Sequence, residues 1–431
     1  MNHHKTFTFY NTLLTGASAA YRRVLMTSAL TLIFSIFFCR AFAKPVDSEK
    51  PPGQEKAWVG TWATAPQLVD SKNMPPEPGL SNNTLRQVVC VSTGGKRLRL
   101  KFSNELSKNP VTIKAVQIAV SRGGGEIDKY TIKVLKFNGR PGITMEAGAA
   151  LSSDPVSFNL EPRTEVAITI LFGETYTTVT GHPGSRTSSY LLAGDQTSAD
   201  VDFTNAVKTD HWYVISGIDV EATKPAAAVA VFGDSITDGR GSGTNKQDRW
   251  PDILASRLIK NRDTKEIGVL NLGIGGNSLV RGGLGPNGLS RFDRDVLKQT
   301  GVRWVIILEG VNDIGGTKDS AAASLVVKSL IAAYNKLISD AHAKNIKVYG
   351  ATITPFKGSS YYTDYHEAAR NAVNGWIRTS KHFDAVVDLD KAVRDPTDIT
   401  ALLPEAQSDH LHPNELGYKM FGEAVDLSLF K

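Results

Sequence analysis

The sequence predicts an α/β fold, a doubly wound parallel sheet of five strands, preceded by an all-β sandwich or jelly-roll-like domain. Three observations carry this. Beyond residue 226, short apolar strand patterns alternate with helical ones. Between Trp58 and Val220, short strand patterns recur with Gly, Pro, Asn and Ser clusters between them and no helical period. At Glu221-Ala222-Thr223-Lys224-Pro225 the texture changes from one to the other.

The chain has 431 residues, 41% of them hydrophobic, enough for two domains and a sizeable core. Its 49 Lys and Arg against 43 Asp and Glu give a formal net charge of +6. The first 43 residues hold four of those bases (Lys5, Arg22, Arg23, Arg40) and no acid, which leaves 45 against 43, a net of +2. Nucleic acid is therefore not an expected partner. Residues 1–43 read as a signal peptide: Arg22-Arg23, an apolar run from Val24 to Cys39, then Ala41-Phe42-Ala43 as the small-x-small cleavage pattern. Cleavage after Ala43 would start the mature chain at Lys44 and place the protein outside the cytoplasm, secreted or periplasmic. An uncleaved anchor is the alternative. No later hydrophobic run is read as a membrane span, so none is expected after signal cleavage. Residues 44–56, KPVDSEKPPGQEK, read as a linker. Of two cysteines, only Cys90 lies beyond the leader, flanked by valines as a buried apolar residue would be. That rules out an intramolecular disulfide and a cysteine-based metal or redox motif.

In the β domain, 57–220, strands are expected at Leu85–Ser92, Lys96–Phe102, Val111–Val120, Tyr130–Phe137, Glu165–Phe172, Thr187–Leu192 and Trp212–Val220. The first two flank Thr93-Gly94-Gly95, a hairpin signal. Arg97 to Phe102 alternates strictly between charged and apolar residues. In the second domain, 221–431, strands are expected at 228–232, 267–272, 303–309, 346–351 and 384–388. Helices are expected at about 250–260, 289–299, 320–344, 362–379 and 414–428. The longest shows the 3.6-residue period through Val327, Leu330, Ile331, Tyr334, Leu337, Ile338 and Ala341.

Four stretches of this second domain carry chemistry. Gly233-Asp234-Ser235 ends the first strand, AVAVF. Asn271-Leu272-Gly273-Ile274-Gly275-Gly276-Asn277 ends the second, and Gly310-Val311-Asn312-Asp313 follows the third. Ser408-Asp409-His410-Leu411-His412-Pro413 precedes the last helix. In a doubly wound sheet the first three loops meet at one rim. Each has an innocent reading alone: a helix cap, a turn glycine, a surface Asp-His pair. Together they supply acyl-transfer parts. A serine hydroxyl needs a base to take its proton. Asp409 and His412 are three apart, so the carboxylate can hold the imidazole tautomer that leaves Nε2 free. The N–H of Ser235, the N–H of Gly276 and the amide of Asn312 can receive an oxyanion.

These four blocks resemble the GDSL-type SGNH hydrolases, a superfamily of serine esterases and lipases. The blocks are GDSI with Ser235, NLGIGGN with Gly276, GVND with Asn312 and SDHLHP with Asp409 and His412; Ile236 stands where the family usually has leucine. The likeness covers about 226–431. TWATAP (Thr61 to Pro66) and KRLRLKFSNEL are similar to secreted bacterial acylhydrolase-like members with an N-terminal β domain. The resemblance implies a flavodoxin-like sheet, Ser235 as nucleophile, His412 as base and acid, Asp409 as its orienter, and no metal or organic cofactor.

The expected activity is hydrolysis of carboxylic esters, with short acyl groups such as acetyl on a carbohydrate first. Longer-chain lipase, lysophospholipase or thioesterase activity is the alternative; a non-catalytic carbohydrate-binding protein on a hydrolase fold is the alternative of another class. Transfer to an acceptor alcohol would use the same residues. Of the neighbours, Asp234 and Asp313 are read as structural, and His410 as a bystander to His412. The loop Arg281–Ser290 is read as a border of the pocket. Tyr361, Tyr362 and Tyr365 are read as helix packing rather than an acceptor site, and Trp58 and Trp62 as core packing rather than sugar stacking.

Overall fold

The computed structural model describes residues 56–223 and 226–431. The expected leader and all but the last residue of the expected linker lie outside the described residues.

Five parallel strands, Ala227–Gly233, Ile267–Gly273, Val302–Leu308, Lys347–Ala351 and Ala385–Val387, form the sheet of the α/β half. Their spatial order is second, first, third, fourth, fifth, the flavodoxin-like order. Every residue of the first strand is buried, which is why its sequence is a continuous apolar run rather than an alternation. The order reverses between the first and third strands, and that switch point opens a crevice beyond their C-terminal ends. Gly233 lies in register with Gly273 on one side and Leu308 on the other, so the three loops that follow start together.

The helices follow their sequence signals. Trp250–Lys260 has Pro251 in its first turn and Arg257 and Lys260 in its last, matching the helix dipole. Ser320–His342 is capped by Asp319, which accepts from the Ala322 N–H at 2.8 Å. By length and composition this helix could cross a membrane, contrary to the expectation that no later run could. Its stripe of Val326, Leu330, Tyr334 and Leu337 is instead buried, and the helix packs on Asp364–Thr379 and Lys347–Ala351. The helix expected at 289–299 is a short α segment, Gly288–Phe292, running into a π turn, Asp293–Leu297. The last helix, Glu415–Ala424, stops earlier than its pattern suggests and is followed by a 3-10 turn, Leu427–Phe430.

The β-rich region places its strands in antiparallel sheets. One holds Lys56–Ala63, Ile215–Thr223, Gly95–Ser103 and Val156–Leu160 in that order; a larger one centres on Thr84–Cys90, Glu165–Phe172 and Val111–Gly123. Three expectations fail here. The strand expected at Trp212–Val220 divides at Val214, whose φ is +67°, into Trp212–Tyr213 and Ile215–Thr223, which belong to different sheets. Thr93-Gly94-Gly95 does not close a hairpin: Thr84–Cys90 and Gly95–Ser103 belong to different sheets. Both strands are apolar on the core side and find their edges taken by distant partners. The corner itself is pinned by the Thr61 hydroxyl, which donates to the Thr93 carbonyl at 2.6 Å, and by the Ser92 N–H, which donates to the Thr61 carbonyl at 2.8 Å. Tyr130–Phe137 is not a continuous strand but a 3-10 turn, Lys129–Thr131, and a two-residue strand, Lys133–Val134. Asp128 explains this: its carboxylate accepts from the Tyr130 N–H at 3.1 Å and its carbonyl from the Thr131 hydroxyl at 2.7 Å, which diverts the chain from a ladder.

The two regions share one apolar cluster, from Val59 and Trp62 to Leu270 and Val305. Lys56–Ala63 lies against Ile267–Gly273, and the Gly60 N–H donates to the Thr300 carbonyl at 2.9 Å. The charged face of the alternating strand meets the same seam: Arg99 and Lys101 each reach the buried Asp219 carboxylate at 2.8 Å, and Thr300 donates to it as well. Trp62 is buried edge-on against Trp212, and Trp58 lies under the Arg99 guanidinium. Cys90 is buried, and burial pushes its thiol up to about 12.

Candidate active site

The first strand ends at Gly233, and Asp234 turns the chain. Its carboxylate accepts from the Ile236 N–H at 2.9 Å and caps the one-turn helix Ser235–Asp238. This is the structural role expected of Asp234. Ser235 thus opens a helix turn at the rim of the sheet, and its side chain is buried.

The Ser235 hydroxyl lies 2.8 Å from His412 Nε2. His412 Nδ1 lies 2.8 Å from Asp409 Oδ2 and 2.9 Å from Oδ1. A carboxylate only accepts, so Nδ1 carries the proton and Nε2 offers its lone pair to the serine. Asp409 is fixed by its own loop, accepting from the N–H groups of His412 at 2.9 Å and Leu411 at 3.2 Å. Burial pushes the Asp409 carboxyl up, but these donors and the His412 ring outweigh it and leave it below its ordinary value. Burial also acts on His412, pushing the imidazole down; Asp409 pulls it back, Arg240 and Arg186 push it down further, and the net shift is downward. His410 has a positive φ of 64° and makes no bond to Ser235.

The loop after the second strand brings Gly276 in with a φ of +67°, a conformation that favours glycine. Its N–H donates to no protein acceptor among the described residues. Asp313 shapes this loop by accepting from the N–H groups of Leu279, Val280 and Arg281 at 2.7, 3.0 and 3.3 Å, the structural role expected of it. Asn312 lies in the helix turn Val311–Gly315 after the third strand. Its amide nitrogen donates to the Asn277 carbonyl at 2.8 Å, and its oxygen accepts from the Tyr361 hydroxyl at 2.9 Å. The tyrosine therefore fixes which way the amide faces and leaves one amide hydrogen uncommitted. The loop at Arg281–Ser290 does border the site, since Leu284 packs beside Gly276.

Two residues here escaped the sequence reading. Tyr361 was expected only to pack a helix. Arg291 had no motif at all, yet it ties the strand ends together. Fully buried, it donates to the carbonyls of Gly233 and Leu272 at 2.8 Å and to the Asn277 side chain at 2.9 Å. It also pairs with Asp295 and Glu309, each at 3.1 Å. Burial pushes Asp234 up to about 7, with the Asp313 charge adding and the Ile236 N–H and Arg291 opposing; Glu309 is raised well above its ordinary value by burial and by Asp234.

Residues 231–420 match the model of the GDSL-like lipase/acylhydrolase family. They form a GDSL-like acylhydrolase domain. Members of that family are ester hydrolases, and this chain carries an ester-hydrolase domain of flavodoxin-like fold. Among solved structures the chain is similar to one described as a lipolytic protein of the G-D-S-L family from Desulfitobacterium hafniense. That match has 23% identity, covers 46% of this chain and 97% of the other, and has a TM-score of 0.35. It is also similar to a GDSL-like lipase from Bacteroides thetaiotaomicron (19% identity, 48% and 90% coverage, TM-score 0.35). A third is an acetyl xylan esterase (20% identity, 46% and 96% coverage, TM-score 0.34). No curated protein matches the chain.

Proposed function

We propose that Ser235, His412 and Asp409 are the catalytic residues of this ester hydrolase, and that its substrates are esters of short acyl groups, acetyl foremost, on a carbohydrate. The observation that carries the first part is the hydrogen-bonded chain from the Ser235 hydroxyl through His412 to Asp409, 2.8 Å at each link. His412 takes the serine proton as Oγ attacks the ester carbonyl, and Asp409 stabilises the imidazolium. The carbonyl oxygen becomes an oxyanion that the N–H groups of Ser235 and Gly276 and the amide of Asn312 receive. His412 returns the proton to the departing alcohol, then deprotonates a water that releases the acid from Ser235. Changing Ser235 to Ala is expected to abolish hydrolysis of p-nitrophenyl acetate; a folded variant with unchanged activity overturns the assignment.

The short-acyl reading rests on the charged surroundings of His412. Arg240 lies 3.8 Å from Asp409 on its side of the site, whereas a long acyl chain needs an apolar lining. On p-nitrophenyl esters, activity is expected to fall from acetate to longer chains, and a rise with chain length refutes the reading. The accessory region 57–220 and export after cleavage at Ala43 favour an extracellular carbohydrate ester. Recovery of the exported protein with Lys44 as its first residue tests the cleavage; an N-terminus retaining residues 1–43 contradicts it.

A further inference from the structure

The segment Gly181 to Ser188 of the β-rich region, which leaves the short strand Thr180–His182 and has TWATAP beside it, has no role in the chemistry above, yet it converges on the turn that carries Ser235. His182 is buried, and both of its ring nitrogens face oxygen. Nδ1 lies 3.0 Å from the Ala65 carbonyl within TWATAP, and Nε2 lies 2.8 Å from Asp238 Oδ1. A carboxylate only accepts, so Nε2 donates to Asp238. Asp238 is the carboxylate partner for good reason. Burial would raise it, but His182, Arg186 and Arg249 outweigh burial and hold it below its ordinary value. Arg186 reaches its second oxygen at 3.1 Å.

The remaining contacts are built around this pair. The His182 ring stacks on Trp212, 5.9 Å between centroids at 27°. Beyond it lie Arg249 and Arg163, both paired with Asp252. A Cβ at Gly184 would collide with the Asp238 carboxylate, so only glycine lets the loop come this close. Asp238 ends the single turn that Ser235 begins; its N–H donates to the Asp234 carbonyl at 2.9 Å, and the next N–H, of Gly239, donates to the Ser235 carbonyl at 3.0 Å. Its carboxylate also faces Gly275, the neighbour of Gly276.

We propose that His182 and Asp238 are positioning residues for Ser235: His182 from the β-rich region grips the Asp238 carboxylate through Nε2 and so holds the serine turn and the oxyanion loop in register. The proposal rests on Ser235 being the nucleophile, and it gives the β-rich region a part in catalysis rather than in stability alone.

Two measurements on the full chain test it. In the wild-type protein, histidine ring ¹⁵N spectra, with the His182 signals assigned by their loss in His182→Gln, are expected to show His182 Nε2 carrying a hydrogen-bonded proton. An Nε2 without a proton overturns the proposal. In His182→Gln and Asp238→Asn, kcat for p-nitrophenyl acetate is expected to fall by roughly 10²-fold, the scale of a displaced reacting group. KM is expected to stay within about twofold, and the double variant to be no worse than either single one. Unchanged kcat in the folded variants, or kcat and KM moving together, contradicts it. Fluorophosphonate labelling of the wild type separates the two claims: no adduct on Ser235 counts against the nucleophile, while the ring nitrogens still decide the grip.

Discussion

At the scale of single residues, the proposed base His412 is expected to decide the pH behaviour. It acts as a base only when neutral, so protonating Nε2 removes activity as pH falls. Burial and the two nearby arginines lower its value, so the acid limb of kcat/KM should have its midpoint below the ordinary histidine value of about 6.5. Asp409 is the group pulling the other way. In Asp409→Asn the limb should move to still lower pH while kcat drops; a limb that moves up means His412 is not the titrating base. Asn312→Ala should lower kcat on a short ester by about 10²–10³-fold in steady-state assays, the usual effect of losing one oxyanion donor. The five candidate residues could be named from sequence because each stands in a short block beside a strand end or before the last helix. Tyr361 was not, because the pattern of a helix start does not say which side chain reaches across to Asn312.

At the scale of elements, the strand and helix alternation after residue 226 was readable because each strand is a continuous apolar run and each helix carries its caps. The strand pairings of the β-rich region were not. A strand followed by a Gly-Gly turn signals a reversal in one sheet, but here the turn crosses between two sheets, and only partners distant in sequence decide that. Arg291 belongs to this scale too. It joins the ends of two strands and two buried carboxyl groups, and nothing local in its sequence announces it. Arg291→Met should cost about 3–5 kcal/mol in urea unfolding, because buried acceptors and charges lose their partner. Glu309→Gln should cost less, since burial already drives Glu309 toward its neutral form.

At the scale of the whole molecule, the seam is the main finding. The described residues form one compact unit, with one apolar cluster running through the β-rich and α/β regions. The change of texture at 221–225 marks where the architecture changes, but the core continues across it. Heating should therefore give one unfolding transition by both tryptophan fluorescence and circular dichroism; two resolved transitions would contradict the shared core. The seam was illegible in sequence because the charged face of Arg97–Phe102 reads as solvated, whereas the structure turns Arg99 and Lys101 onto buried Asp219. The central claim, that ester hydrolysis runs through Ser235 at this rim, is tested most directly by treating the folded protein with a fluorophosphonate and mapping the adduct by mass spectrometry. A single adduct on Ser235, absent in Ser235→Ala and much slower to form in His412→Ala, is the predicted result. An adduct on another residue, or equal labelling of Ser235→Ala, would contradict it.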